Sequence, residues 1–432
     1  MTTQLDHAAS VRPALPYVET TGFEVLNDEE RAVQQAMHTF AREVMRPAGI
    51  AIDKLTAEQA VAPGSPYWEF MRIAAESGIG FDSEPDDVPP QALARLQSIV
   101  IEEFGWADVG LTVSMLAGAF PNIVAKRVGN QELIDLTAGK LGCWIASQPD
   151  RGSDGTMLYP AERHVGAPQG NKGNLTAKVV GGDIVINGQS SAWVSNGAVA
   201  QVGILSIVAD YGDGFFDSEG HPYGMEVIVP FDLPGVSHGR PLEKLGQRAL
   251  PQGETFFDEV KVPVSYAVSF GDDYWRGHAN TWSTAGVAMG GMMSGLARAA
   301  LEQAVEYAGQ RRQGGALLAD HQMVQARLGE MARNVETIRA VARRAAEYTA
   351  LSPAKHPYYT GATKVTCTDL AFQVADEALQ LFGGYGLTRE YPMEKLFRDA
   401  RAARIEDGEN HLLNMKFGFL TTLLRRGGRL GA

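Results

Sequence analysis

The chain has 432 residues, a net charge of −13 and a hydrophobic fraction of 45%. It is long enough for two or three domains around a sizeable core, and it is too acidic, with no basic block, for a nucleic-acid role. Its two cysteines, Cys143 and Cys367, exclude a disulfide framework and have no metal-ligand spacing, and the nine histidines form no HxxxH or HExxH pattern, so no metal site is expected.

Residues 1–25, with Pro13 and Pro16 and little periodicity, read as an N-terminal arm. They lack the basic and apolar regions of a signal peptide. From Leu26 an apolar stripe of helical period runs through Val33, Met37, Phe40, Val44 and Met45, with Asn27 as its cap. Further helical patterns cover 66–77, 90–104, 111–128 and 131–138, so 26–140 is predicted as a helical domain.

Near Gly142 the period changes to two. LTAKVV, DIVING, VGILSIVAD, MEVIVPF and ETFFDEVKVPV alternate with glycine-rich turns, which predicts a central β-domain over 141–270, a barrel or sandwich. Met157–Asn174 is a long loop of Gly, Pro and charge, a length that points to function. Residues 271–432 return to helical period over 277–313, 320–352, 356–382, 391–404 and 409–427, which predicts an antiparallel four-helix bundle with an added helix. The most apolar run, Val287–Leu301, is too short to cross a bilayer and holds Arg298, so a soluble cytoplasmic protein without membrane insertion is expected. The fold class is α+β in the order helical, β, helical. Gly290–Gly295 lies in a helical pattern and predicts close helix packing.

The densest stretch is Gln380–Asn410. A helix ends at Phe382 because Gly383, Gly384 and Gly386 follow. Thr388 offers an N-cap oxygen, Pro392 opens the next helix, and Met393, Leu396 and Phe397 form its apolar stripe. That helix runs into Glu406-Asp407-Gly408, a carboxylate pair at a turn.

This stretch resembles the C-terminal signature of the acyl-CoA dehydrogenase family, with Gln380, Gly383, Gly384, Glu390, Tyr391, Pro392, Glu394, Lys395, Arg398, Asp399, Ala400, Ile405 and Gly408 in register. Other segments resemble the family in the same order. Ser147-Gln-Pro-Asp-Arg-Gly-Ser-Asp154 stands at T-E-P-x-A-G-S-D, Asn187–Asn196 at I-N-G-x-K-x-W-I-T-N, and Arg311–Gln322 at R-x-x-F-G-x-x-L-x-x-x-Q. The resemblance covers about 26–427. It implies the same three-part fold, FAD as cofactor, and a homotetramer.

It also implies residue roles. Ser147, Gly152 and Ser153 would lie against the flavin, Trp193 would cover one side of its ring, and Ser195 would bond near N5. Arg311, with Gln313 and Gln322 nearby, would meet the pyrophosphate. Gln380, Gly383 and Gly384 would bind the adenosine part of an FAD held mainly by a second subunit, and Glu409 would lie near the flavin where the family has Thr. The segment from Leu245-Gly-Gln-Arg248 to Phe257–Pro263 would be scaffold.

Oxidation of an acyl thioester at Cα–Cβ needs a base for the α-proton, donors for the enolate oxygen and an acceptor for hydride. A carboxylate in a water-poor cleft is a strong enough base. The family's catalytic glutamate falls on Asp407, one methylene shorter, and Glu406 stands at the family's Tyr. A base on the earlier helix is excluded by Ala285, and the family's L-D-x-x-R falls on Ser283 and Gly286. These departures predict an unusual substrate, a cyclic or branched acyl-CoA or a carrier-bound acyl group, with electrons passing to an electron-transfer flavoprotein or to oxygen. Two other classes stay open: a flavin monooxygenase on the same scaffold, and a silent partner subunit.

Overall fold

The computed structural model describes residues 25–81, 88–153, 171–218, 220–352 and 357–425. The predicted arm lies outside these residues but for Val25, as does most of the predicted loop Met157–Asn174.

The chain opens with α1 (Asp28–Phe40). Its start is a full capping box: the Asn27 side chain accepts from Glu30 N and the Glu30 side chain from Asn27 N. A π-helical turn, Ala41–Met45, joins it to α2 (Arg46–Asp53). The turn inserts one residue into the 3.6 period, so Met45 rather than Val44 becomes fully buried. Then come α3 (Ala57–Val61), α4 (Pro66–Glu76), α5 (Pro90–Ala107), α6 (Val109–Val128) and α7 (Gln131–Thr137). Helices α2 and α3 are too short to show in the sequence pattern. Helix α6 starts two residues earlier than predicted because Asp108 caps it through Leu111 N, at 2.8 Å.

Eight strands follow: β1 (Gly142–Ile145), β2 (Thr176–Val180), β3 (Asp183–Gln189), β4 (Val202–Asp210), β5 (Gly224–Pro230), β6 (Val236–His238), β7 (Thr255–Pro263) and β8 (Ala267–Phe270). They form one mixed sheet in the order β6-β7-β3-β2-β4-β5-β8, with β1 parallel on β4. Alternate residues of these strands, such as Ile145, Ala177, Ile186, Leu205, Val227 and Val260, enclose the sheet's own apolar core. The opposite face sends Val202, Ile204 and Ile228 into the helical core. The sheet is thus inner wall to one core and outer wall to another.

The last part holds α8 (Tyr274–Gln310), the two-residue strands β9 (Arg312–Gln313) and β10 (Ala316–Leu317), α9 (Gln322–Leu351), α10 (Pro357–Phe382), α11 (Met393–Ala403) and α12 (Asn410–Arg425). These bounds follow the predicted ones within a few residues. One cap does not. Thr388 turns back to donate to Tyr385 O at 2.9 Å, closing the 3₁₀ turn Gly383–Leu387, and Pro392 takes the N-cap of α11 with no side-chain cap. In the β9–β10 hairpin Gly314 and Gly315 have φ of +62° and +87°, so the turn itself calls for glycine where the family has Phe.

The two helical regions share one core. Phe104, Leu111, Met115 and Phe120 of α5 and α6 belong to the same cluster as Met289, Met292, Leu296 and Leu301 of α8. Close approach is built in. A Cβ on Gly295 would collide with the Glu102 carbonyl, and one on Gly105 with the Met292 backbone. Helix α6 has the length and apolarity of a membrane span, a feature the sequence reading gave to no segment, but 78% of that window is buried inside the fold, so its apolar character is that of a core helix.

Charge is buried at the same seam. Glu102 and Glu103 of α5 are each 1% exposed. Glu102 accepts from Arg339 Nη2 and Arg343 Nη2 of α9, both at 2.9 Å, and from Arg298 Nη1 of α8 at 3.3 Å. Glu103 accepts from Arg298 and from His38 Nδ1, each at 2.8 Å. Burial pushes the Glu102 carboxyl up, but the three guanidiniums outweigh it and hold the carboxyl far below its usual range.

Candidate active site

The turn between α11 and α12 carries Glu406, Asp407 and Gly408. Asp407 has φ of +52°, a left-handed conformation uncommon outside glycine, and Gly408 has φ of +93°. The segment is closed by Ile405 N to Ala402 O at 2.9 Å and Asn410 N to Arg404 O at 3.2 Å. The Asp407 carbonyl accepts from Trp282 Nε1 of α8 at 3.4 Å. Its carboxylate has no hydrogen-bond partner among the described residues, although protein surrounds it on most sides. Desolvation raises its pKa, and the ammonium of Lys364 opposes the rise. Asp407 does not cap α12. That task falls to Glu409, whose carboxylate accepts from Leu412 N at 3.1 Å and His411 N at 3.0 Å.

Glu406 turns the other way. It accepts from the Gln247 side chain, and Gln247 N in turn donates to Asp399 Oδ1. Burial, then the neighbouring Asp407 charge, push Glu406 up to about 7, against Lys244. Lys244 is itself pulled down to about 7 by burial, against Glu406 and Asp399, and it donates to Gln252 Oε1 at 2.6 Å. Gln252 Nε2 donates to Trp193 O at 3.0 Å, and an isolated bridge pairs Ser195 with Gln252. A polar chain thus runs from the acidic turn to the Trp193 segment.

Trp193 is 63% exposed, so it is no core residue of a strand. A large apolar ring in that position offers a flat surface to something outside the fold. Its backbone is fixed by Ser191 Oγ, which accepts from Trp193 N at 3.2 Å and also pairs with Ser147 Oγ at 2.7 Å. Gly152 is exposed on the turn after β1. Ser153 Oγ accepts from Glu409 N at 3.1 Å, which ties that turn to the acidic one. The remainder of Glu409 serves the helix: against desolvation, His411 and the backbone amides hold its carboxyl down to about 2. Gln148, at the family's Glu, is 3% exposed, and its Oε1 accepts from Leu175 N at 2.7 Å, so it binds β1 to the next strand.

A second cluster lies on the bundle. Arg311 is exposed at the end of α8, with its guanidinium 5.5 Å from the Tyr385 ring centroid. Tyr385 sits in the same 3₁₀ turn as Gly383 and Gly384, which are exposed, as is Gln380. Gln313 and Gln322 are exposed too, and His321 Nε2 bonds Gln313 O at 2.9 Å. Cationic, glycine and amide groups that project from one protomer are suited to an anionic ligand at its edge.

The sequence-predicted residues therefore fall into two groups: Ser147, Gly152, Ser153, Trp193, Ser195, Asp407 and Glu409 in one, and Arg311, Gln313, Gln322, Gln380, Gly383 and Gly384 in the other. Three residues were missed. Lys364 of α10 is fully buried below the acidic turn. Its signal was a lone cation on the apolar stripe Thr360, Cys367, Ala371, Val374. Lys416 of α12 is 1% exposed, with its ammonium 5.0 Å from the Trp282 ring centroid. His278 of α8 is 3% exposed, stacks on Tyr274 at 5.7 Å, and neither ring nitrogen has a partner among the described residues. Burial, then the charges of Arg151 and Lys416, push it down to about 3 and keep it neutral. Where the family has its Asp and Arg on α8, Ser283 is fully buried and Gly286 lies against the Thr360 carbonyl.

Comparison with known families gives two matches in the order of the fold. Residues 143–260 match the acyl-CoA dehydrogenase middle domain and residues 283–416 the acyl-CoA dehydrogenase C-terminal domain, together more than half of the chain. The chain belongs to the acyl-CoA dehydrogenase family. Among members of this family, it is 29% identical over 401 residues to benzylmalonyl-CoA dehydrogenase of Aromatoleum aromaticum, covering 90% of this chain and 97% of that one. It is 28% identical to a mitochondrial isobutyryl-CoA dehydrogenase of Dictyostelium discoideum, covering 90% and 88%. A solved glutaryl-coenzyme A dehydrogenase–glutaryl-CoA complex superposes with a TM-score of 0.79 at 25% identity, covering 95% and 99%. The acyl-CoA dehydrogenase fold thus extends over 95% of this chain.

Proposed function

We propose that this acyl-CoA dehydrogenase oxidises the Cα–Cβ bond of an acyl thioester with Asp407 as the base. The observation that carries the reading is the Asp407 carboxylate, unpaired among the described residues and held by a strained turn in a place that raises its pKa. A base so placed takes the weakly acidic α-proton more readily than one in water. Trp282 and the Asn410–Arg404 bond fix the backbone of the turn, so the chain that carries the carboxylate need not be ordered during the reaction.

The exposed Trp193 ring, the polar turn at Ser147–Ser153 and the Arg311–Gly383 edge fit a flat cofactor with an anionic tail, and the cofactor we assign is FAD. When bound, FAD supplies the two-electron acceptor for hydride from Cβ. Trp193 would exclude water from one side of the ring, Arg311 would pair with the pyrophosphate, and Gln380, Gly383 and Gly384 would serve a neighbouring protomer in a homotetramer. Electrons would leave to an electron-transfer flavoprotein, in the cytoplasm. The substrate we favour is a branched or cyclic acyl-CoA or a carrier-bound acyl group, because the face of α8 that carries the family's Asp and Arg is here buried and uncharged at Ser283 and Gly286.

Anaerobic titration of the purified protein with acyl-CoA and acyl-pantetheine thioesters is the direct test. Bleaching of the yellow flavin band by one thioester is the expected result. A yellow protein that no thioester bleaches, but that consumes oxygen with reduced flavin, would support a monooxygenase instead. A colourless protein would support a silent subunit.

The pH dependence has a fixed sign. The base must be ionised to accept a proton, so kcat/KM falls as pH falls through its pKa. Since burial raises that pKa, the acid limb is expected above the ordinary Asp value of about 4. A limb at or below 4 would count against Asp407. Trp193→Ala should leave the unfolding midpoint of the cofactor-free protein unchanged, since the ring is 63% exposed. It should weaken FAD binding about fivefold, the worth of one aromatic stacking contact. Equal FAD affinity would remove Trp193 from the cofactor site.

A further inference from the structure

Lys364 is the largest departure from ordinary burial near the acidic turn. It lies on the core stripe of α10 and is 0% exposed, in the company of Thr360, Cys367 and Ala371. An ammonium in such a place is costly unless it is paired and fully bonded. Its Nζ donates to the Gly408 carbonyl at 2.7 Å and to Asn410 Oδ1 at 2.8 Å. Asn410 is fixed in turn: its Nδ2 donates to Thr368 Oγ1 at 3.0 Å and Asp369 Oδ1 at 2.9 Å. Asp369 also takes Arg404 Nε at 2.6 Å. The turn Ile405–Glu409 is therefore clasped at its C-terminal end by Lys364 and through Asn410, and at its N-terminal end through Arg404.

Burial pulls the ammonium down to about 8, and the negative charges of Asp407, Glu406, Asp369 and Glu409 oppose that fall. Of these, Asp407 is the one for which Lys364 is the charge that opposes the rise caused by burial. Glu406 is bonded to Gln247, Asp369 to Arg404, and Glu409 to His411.

We propose that Lys364 is a positioning residue for the base. Its buried ammonium holds the carbonyl next to Asp407, keeping Asp407 and Gly408 in their left-handed turn, and its charge favours the ionised carboxylate. The proposal rests on Asp407 as the base. It adds that the turn is kept in its strained form by a group on another helix, one that never touches the substrate.

The test needs no substrate. In protein labelled with [¹³Cγ]aspartate, the Asp407 resonance is assigned by its loss in Asp407→Asn and followed from pH 4 to 10. In Lys364→Met, which keeps the length and apolar volume of the stem, the Asp407 midpoint should rise by about one unit or more, the effect of removing a nearby opposite charge. In the unaltered protein the same resonance should show a second inflection near pH 8, where the facing ammonium titrates. That second observation does not depend on whether the variant folds. Hydrogen exchange of the peptide spanning 404–410 should be at least tenfold faster in Lys364→Met than in the parent. An unshifted midpoint, or a parent resonance with no second inflection, overturns the proposal. Failure of the base reading looks different: Asp407→Asn would then still be bleached by thioester, whatever the resonance does.

Discussion

Asp407→Asn should abolish thioester-driven flavin bleaching, with the rate of reduction falling by 10²–10⁴, the usual contribution of a positioned general base. The substitution keeps size and polarity, and Asn tolerates positive φ as well as Asp does, so the turn at φ +52° should stand. Lost activity can then be assigned to the missing base rather than to a collapsed turn. Stopped-flow absorbance with the best thioester from the titration gives the rate, and retained FAD absorbance shows that the site is whole. A loss of less than tenfold would move the base elsewhere. Glu406 is the only adjacent acid, and its side chain is committed to Gln247. Glu406→Gln should therefore reduce the rate far less than Asp407→Asn does.

Glu102→Leu should destabilise the protein by about 3–5 kcal/mol, the cost of leaving buried charge without its partner. Arg298, Arg339 and Arg343 converge on this carboxylate, two of them less than 5% exposed, so its removal leaves like charges facing one another at the seam of α5, α8 and α9. The midpoint of denaturant unfolding is the readout. Arg72→Ala, which removes exposed pairs with Glu69 and Glu76 on α4, should leave that midpoint unchanged and serves as the control. The sign with pH follows from the depressed carboxyl. The network's contribution is complete above the usual Glu range and is lost as pH falls below it, so the gap between parent and Glu102→Leu should narrow in acid. A gap that is constant from pH 7 to pH 3 would mean that packing, not charge, carries the effect.

Much of this could be read from residues alone. Helices α8 to α12 announced their ends because an uninterrupted 3.6 period ran into Gly383, Gly314 and Pro353, and the strands announced theirs by period two. The acidic turn was legible because Gly408 and a fixed register marked it. Other features were not. Period shows which face of a helix is apolar but not which element covers it, so the pairing of α5 and α6 with α8 was invisible. Lys364 and Glu102 look in sequence like breaks in an apolar stripe, and only the partners brought by other helices make them sites. Thr388 had the chemistry of a cap, but Pro392 fixed the backbone where a cap was needed.

The joint core has a consequence for how the protein is made. Helix α5 is complete at Ala107, but α8, its main partner, begins only at Tyr274. At a synthesis rate of about 5–20 residues per second, the wait is on the order of ten seconds. For that time the face of α5 that carries Glu102 and Glu103 has no permanent cover, while the intervening sheet can already close around its own interior and against α6. The central region is therefore the part able to mature first on the ribosome. The flanking helices have to be kept apart from one another's copies on neighbouring nascent chains until the last third of the polypeptide emerges.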